Sequence, residues 1–130
     1  MWLKTLALSI LLLSASSAMA QGPARLTPRV LEGERYFTLQ WQAGDTNGRS
    51  DVHGVILNEY GLGARKIRLL IDSLDAGGGV TAQTIAYVPF DLSPGTRSYF
   101  EARVPARAAS YRVSVFQWEW IQGGGGDVRR

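Results

Sequence analysis

The sequence predicts an all-β fold, an antiparallel β-sandwich of six to seven strands. Two observations carry this. Short runs of branched and aromatic residues recur at near-regular spacing, each bounded by Asn, Asp, Gly or Pro. Several of these runs alternate apolar and polar side chains with a period of two, and helical periodicity is absent from the chain after its leader.

The first 20 residues read as a signal peptide. Lys4 gives a positive start, Leu6 to Leu13 an apolar core, and Ala18-Met19-Ala20 a small-residue cleavage site. The apolar run is shorter than the ~20 residues that span a bilayer. Cleavage after Ala20 and delivery to the periplasm or the medium are expected, with no later membrane span. Removing Lys4 lowers the formal net charge of +3 by one. The arginines are dispersed along the remaining chain rather than clustered on one run, which argues against nucleic acid as a partner. The chain has no cysteine, so neither a disulfide nor a lipidated cysteine is expected, and packing must supply the stability.

Residues 21–34 read as a flexible, extended leader, with Leu26, Val30 and Leu31 as an optional edge strand. A strand over 36–42 follows, with Phe37, Leu39 and Trp41 on one face and Tyr36, Thr38, Gln40 and Gln42 on the other. That phase places Trp41 in the core. Asn47-Gly48 marks a two-residue hairpin turn to a strand over 52–58, because both positions tolerate positive φ. A calcium loop through Asp45, Asn47 and Asp51 is the sharper alternative. It lacks its bidentate carboxylate, since the twelfth position from Asp45 is Ile56.

The stretch from Gly54 to Gly79 organises the rest. Val55-Ile56-Leu57 stops at Asn58 and the glycines Gly61 and Gly63; Ile67 to Leu74 stops at Asp75 and a triple glycine. The spacing Gly54, Asn58, Gly61, Ala64, Ile67, Leu69, Leu74-Asp75, Gly77 and Val80, followed by Leu92, Pro94-Gly95 and Phe100, resembles the FxLYD family of small bacterial β-sandwich domains. The motif that names the family falls on Ile71 to Asp75, with Ile71 and Leu74 at the aromatic positions and Asp75 retained. The match covers about the middle half of the chain. It implies an immunoglobulin-like fold and an exported location, and it brings no catalytic residue.

Val80 to Val88 gives the next strand, ended by Pro89, and Leu92 to Gly95 a tight turn. Ser98 to Val104 alternates with Phe100, Ala102 and Val104 inward. Ala109 to Ile121 is the longest strand, and its phase breaks. Tyr111, Val113 and Val115 share one parity, whereas Phe116, Trp118 and Trp120 share the other. A bulge near Val115-Phe116 would keep both sets inward; a regular strand would turn the second set outward as a possible binding surface. The sandwich domain is thus assigned to 35–122, and 123–130 to a disordered glycine-rich tail.

The inventory for catalysis is thin. A single histidine and no cysteine exclude Cys–His chemistry, and no nucleophile elbow, zinc-protease motif or phosphate loop is present. His53 at a strand start reads as a rim residue. Asp72 and Asp75, three apart on a strand, point to opposite faces, and Asp75 suits a turn. No catalytic, metal or cofactor-binding residue is assigned, and no cofactor is expected. The favoured function is an exported, non-enzymatic module that binds another protein or an envelope component. The alternative is a carbohydrate-binding module with an aromatic platform drawn from Trp41, Trp118, Trp120 and the tyrosines.

Overall fold

The computed structural model describes residues 25–105 and 107–122. The signal-peptide and tail assignments, and the start of the leader, lie outside the described residues. Six strands follow one short helix: α1 (Val30–Tyr36), β1 (Phe37–Thr46), β2 (Arg49–Asn58), β3 (Gly63–Leu74), β4 (Val80–Tyr87), β5 (Arg97–Arg103) and β6 (Ser110–Ile121). They form two antiparallel three-stranded sheets, β1-β2-β5 and β4-β3-β6. The fold is an all-β sandwich. Strands one, two and five in one sheet and three and six in the other follow the immunoglobulin partition, with the fourth strand joined to the second sheet. A seventh strand beside β6 has no counterpart among the described residues.

The turns form as their residues dictate. Asn47 and Gly48 have φ of +52° and +76°, and Thr46 pairs with Arg49, so the β1–β2 hairpin closes through two left-handed residues. Asp45 and Asp51 hold Ser50 and His53 there by hydrogen bonds. The Asp75 carboxylate accepts from the Gly77 and Gly79 amides at 2.9 and 2.8 Å, which fixes the β3–β4 turn. Buried Asn58 donates to the carbonyls of Leu62 and Leu92, and its own carbonyl oxygen accepts from the Tyr60 amide. That side chain ties the β2–β3 connection to the loop before β5.

The core lies between the sheets, where Val52, Ile56 and Phe100 meet Ile67, Leu69, Ile71, Ala86 and Val115. The inward phase expected for Phe100, Ala102 and Val104 is observed. Leu70 has the opposite phase and is still fully buried. Residues 26–29 lead as a strap from Gln83 on β4 to α1. The Leu26 amide donates to Gln83 Oε1 and its carbonyl accepts from Gln83 Nε2, each at 2.9 Å. Beside this strap Asp72, buried, accepts two hydrogen bonds from Arg112 at 2.7 and 3.0 Å and one from Gln83 at 2.8 Å.

Two expectations are corrected. Residues 30–36, read as the end of an extended leader (to 34) and the start of the first strand, form α1. Seven residues are too few to display a period of 3.6, and mid-helix Gly33 lowers the local propensity. The helix exists because Gly33 packs on Val115 and because Glu32 in the first turn and Arg35 in the last suit the helix dipole. Trp41, assigned to the core, is 37% exposed. Its phase with Phe37 and Leu39 is right, but the facing sheet does not extend over it.

Candidate binding groove between the two sheets

The sandwich has two flanks. On one, the segment after β4 closes the gap: the Ala64 and Leu92 amides exchange hydrogen bonds at 2.9 and 2.8 Å, and the Val88 amide donates to the Ile67 carbonyl. On the other, β1 and β6 are edge strands, and no strand joins them among the described residues. A groove runs between them. Its upper part is an open depression of about 360 Å³ walled by Val30, Gly33 and Glu34 of α1, by Leu39 and Trp41 of β1, and by Val113 to Val115 of β6. Its lower part continues past Trp41 and Ala43 on one side and Ala109 and Tyr111 on the other. Trp41 borders both parts. Leu39, Trp41 and Ala43 on β1, and Tyr111, Val113 and Val115 on β6, are each two apart, so each set shares one phase of its strand, at about 6.6 Å spacing.

The lower end of the groove is polar. Arg107 lies 3.5 Å from Asp45, and the Tyr111 hydroxyl accepts from the Ala108 amide at 2.9 Å. Apolar side chains and polar groups share the lining of both parts. An edge strand presents backbone N–H and C=O groups on its outer side, and here two edges flank a trough that Leu39, Trp41, Val113 and Tyr111 line together with polar groups. That is the geometry into which an extended chain adds as a strand.

Phe37, which borders the upper part, belongs to a cluster of aromatic rings. The register of β6 against β3 slips by one between Leu69–Val115 and Arg68–Gln117, which inserts Phe116 as a bulge residue. It slips back between Arg68 and Arg65, where Lys66 has φ of +51°. The bulge expected near Val115-Phe116 is therefore present, and it changes parity. Trp118 and Trp120 pack against the core on the same side as Tyr111 and Val113. Phe37 stacks on Trp120 at 5.7 Å and meets Trp118 edge-on at 5.3 Å; Tyr36 meets Trp120 at 5.1 Å and Tyr60 at 4.7 Å. The Arg29 guanidinium lies 4.9 Å above the Trp118 ring. Phe116 is half-buried and outside the core cluster. The three residues named from the sequence are thus divided: Trp118 and Trp120 pack against the core, while Phe116 marks the bulge.

Sequence reasoning missed Leu39, Val113 and Tyr111 as a surface, because their phase is that of core residues. The signal that bore on it was the strand count. Six strands leave one flank of an immunoglobulin-like sandwich without its seventh.

The outer face of β1-β2-β5 carries the remaining titratable cluster. His53 Nδ1 lies 3.1 Å from Asp51 Oδ1, and Nε2 lies 3.0 Å from Gln42 Nε2. The Gln42 amide donates, so Nε2 accepts and the proton sits on Nδ1, facing Asp51. Both nitrogens are engaged, and neither bonds a hydroxyl. The Tyr99 hydroxyl donates to Glu101 at 3.0 Å, and that hydrogen bond raises its pKa above the usual 10.0. Among the described residues no three His, Cys, Asp or Glu side chains gather in a way that could hold a metal ion. Asp72 and Asp75 are both committed to structural bonds. No family model, curated protein or solved structure matches this chain.

Proposed function

We propose that this chain is an exported, non-enzymatic β-sandwich module that binds another protein or an envelope component by taking up an extended polypeptide along the β1–β6 groove. The observation that carries the reading is the exposed Trp41 between β1 and β6, two edges that pair with no further strand among the described residues, beside Leu39, Val113 and Tyr111. A strand laid there would gain main-chain hydrogen bonds from one edge and set every second side chain into the trough. The partner segment is accordingly extended, with apolar residues at alternate positions. Export rests on Lys4, Leu6 to Leu13 and Ala18 to Ala20. A carbohydrate platform has less support, since Trp118 and Trp120 meet Tyr36, Phe37 and Tyr60 ring to ring instead of lying open as a flat surface.

Photocrosslinking in the native host tests this. A benzophenone side chain at position 41 is expected to give a peptide adduct whose crosslinked segment alternates apolar and polar residues. The same group at exposed Tyr87, on the opposite sheet, should give none. Adducts at 87 and not at 41, or adducts at 41 to a segment without alternation, would remove the groove as the binding site.

A further inference from the structure

We propose that the depression walled by Arg49, Arg103 and Arg107, at the lower end of the sandwich, is a binding site for the phosphate of a phosphomonoester. The proposal does not rest on strand binding in the groove, whose lower end it adjoins through Asp45, Ser50 and Arg107. Three observations carry it.

The first is convergence. The arginines are dispersed along the chain, and the fold gathers three of them. Arg49 opens β2 directly after the Asn47-Gly48 turn, Arg103 ends β5, and Arg107 lies in the connection to β6. Asp51 faces Arg103 across the β2–β5 ladder, so Arg49, two residues earlier on the same face, stands diagonally from Arg103. The Val104 amide donates to the Ser50 carbonyl at 3.1 Å, which holds the chain after β5 against the start of β2. All three arginines line one open depression of about 670 Å³.

The second is charge. Neither Arg49 nor Arg103 forms an ion pair or a side-chain hydrogen bond with any described residue. The neighbouring carboxylates are committed elsewhere. Asp51 Oδ1 lies 3.1 Å from His53 Nδ1, and Glu101 accepts from the Tyr99 hydroxyl at 3.0 Å. Arg107 lies 3.5 Å from Asp45, a carboxylate that also accepts from the Ser50 hydroxyl at 3.0 Å. Three guanidiniums against one carboxylate leave two positive charges along the lining. Like charges gathered at one depression repel, and a bound dianion relieves that repulsion.

The third is chemistry. A guanidinium presents a planar fork of N–H donors that matches phosphate oxygens two at a time. A phosphomonoester has three terminal oxygens and a charge of about −1.5 to −2 at pH 7, which answers three forks and two net charges. A carboxylate ligand offers one charge and two oxygens, and would leave a guanidinium unmatched. A nucleic-acid backbone presents singly charged phosphates repeated along a track, whereas these arginines form one cluster. The phosphate can sit on a soluble molecule or on a lipid headgroup, and its chemistry at the arginines is the same.

Titration of the whole protein with methyl phosphate, followed by NMR of the arginine Nε–Hε resonances, tests the site. Saturable shifts are expected at Arg49, Arg103 and Arg107, and none at Arg97, an exposed arginine at the other end of β5. Dimethyl phosphate, with a single charge, should bind at least about tenfold more weakly. Arg49→Gln and Arg103→Gln should each weaken methyl phosphate binding about tenfold, the scale of a lost hydrogen bond to a charged group. Both side chains are exposed, so these variants should fold as the wild type does. Vesicles of phosphatidylcholine containing phosphatidic acid identify the source. Co-sedimentation that methyl phosphate competes away and Arg103→Gln abolishes assigns a lipid headgroup. Methyl phosphate binding without co-sedimentation assigns a soluble phosphomonoester. Equal affinity for the two esters, shifts at Arg97 matching those at Arg103, or full binding in both glutamine variants would overturn the site. So would the absence of any saturable shift.

Discussion

Gly54 faces Trp41 across the β1–β2 ladder, and a β-carbon on Gly54 would lie 2.0 Å from the carbonyl oxygen of Gln40 and 2.7 Å from the Cα of Trp41. The position has the inward phase of Val52 and Ile56, yet backbone takes the place of a side chain. The β1 backbone lies close against Gly54 at this point, in the space a side chain would take. Gly54→Ala should therefore push β1 outward. The expected loss is about 1–3 kcal/mol of unfolding free energy or more, measured by urea denaturation, as for other overpacked sites. An alanine variant as stable as wild type would show that β1 can move aside freely.

Arg112 and Asp72 form the only ion pair among the described residues in which one partner is fully buried. Removing the arginine strands a carboxylate that Gln83 alone cannot satisfy. Arg112→Met should cost about 3 kcal/mol, whereas the double variant with Asp72→Leu should recover part of that loss. Additive losses in the double variant would mean that the two side chains act independently. The surface pairs Arg65–Glu119 and Arg107–Asp45 should each contribute below about 1 kcal/mol.

Tyr99 offers a pH-dependent test. The hydrogen bond to Glu101 raises its pKa above 10.0, with desolvation and the charges of Glu101 and Asp51 acting the same way. A raised folded-state value means the folded form holds the phenolic proton longer than the unfolded chain does. The contribution is complete below the unfolded pKa, near 10, and is lost as pH rises from there through the folded value. Absorbance titration of tyrosinate should show one tyrosine ionising late, and Glu101→Gln should move that phase down. An unchanged titration in the glutamine variant would sink the assignment.

The strands, their inward faces and all three glycine turns were legible in the sequence, because alternation and turn chemistry act over a few residues. Asn47-Gly48, Asp75 with its glycines, and Pro94-Gly95 each specify a local backbone. Phe116 was legible too, as a break in phase. What local pattern does not encode is which inward-facing residues find a partner across the sandwich. Phe37 and Trp41 share one phase in one strand. Phe37 meets Trp118 and Trp120, and Trp41 meets an open flank. α1 was hidden for a related reason, since Val115, 82 residues away from Gly33, is what makes a helix there worth forming.

The tryptophans divide the molecule into core and groove, and substitution should separate them. Trp118 and Trp120 pack against the buried cluster and against one another at 5.9 Å, with Tyr36, Phe37 and Tyr60 around them. Replacing either by alanine removes several ring contacts and leaves a cavity beneath α1. At least one of the two should lose about 3 kcal/mol or more. Trp41 contacts solvent over more than a third of its surface and borders an open trough, so no closed cavity would form on its removal. Trp41→Ala should therefore cost less than about 1.5 kcal/mol, near the low end for large-to-small changes. Chemical denaturation of the three variants side by side decides it. A Trp41 variant as damaged as the other two would place that side chain in a packed interior and close the groove at its centre.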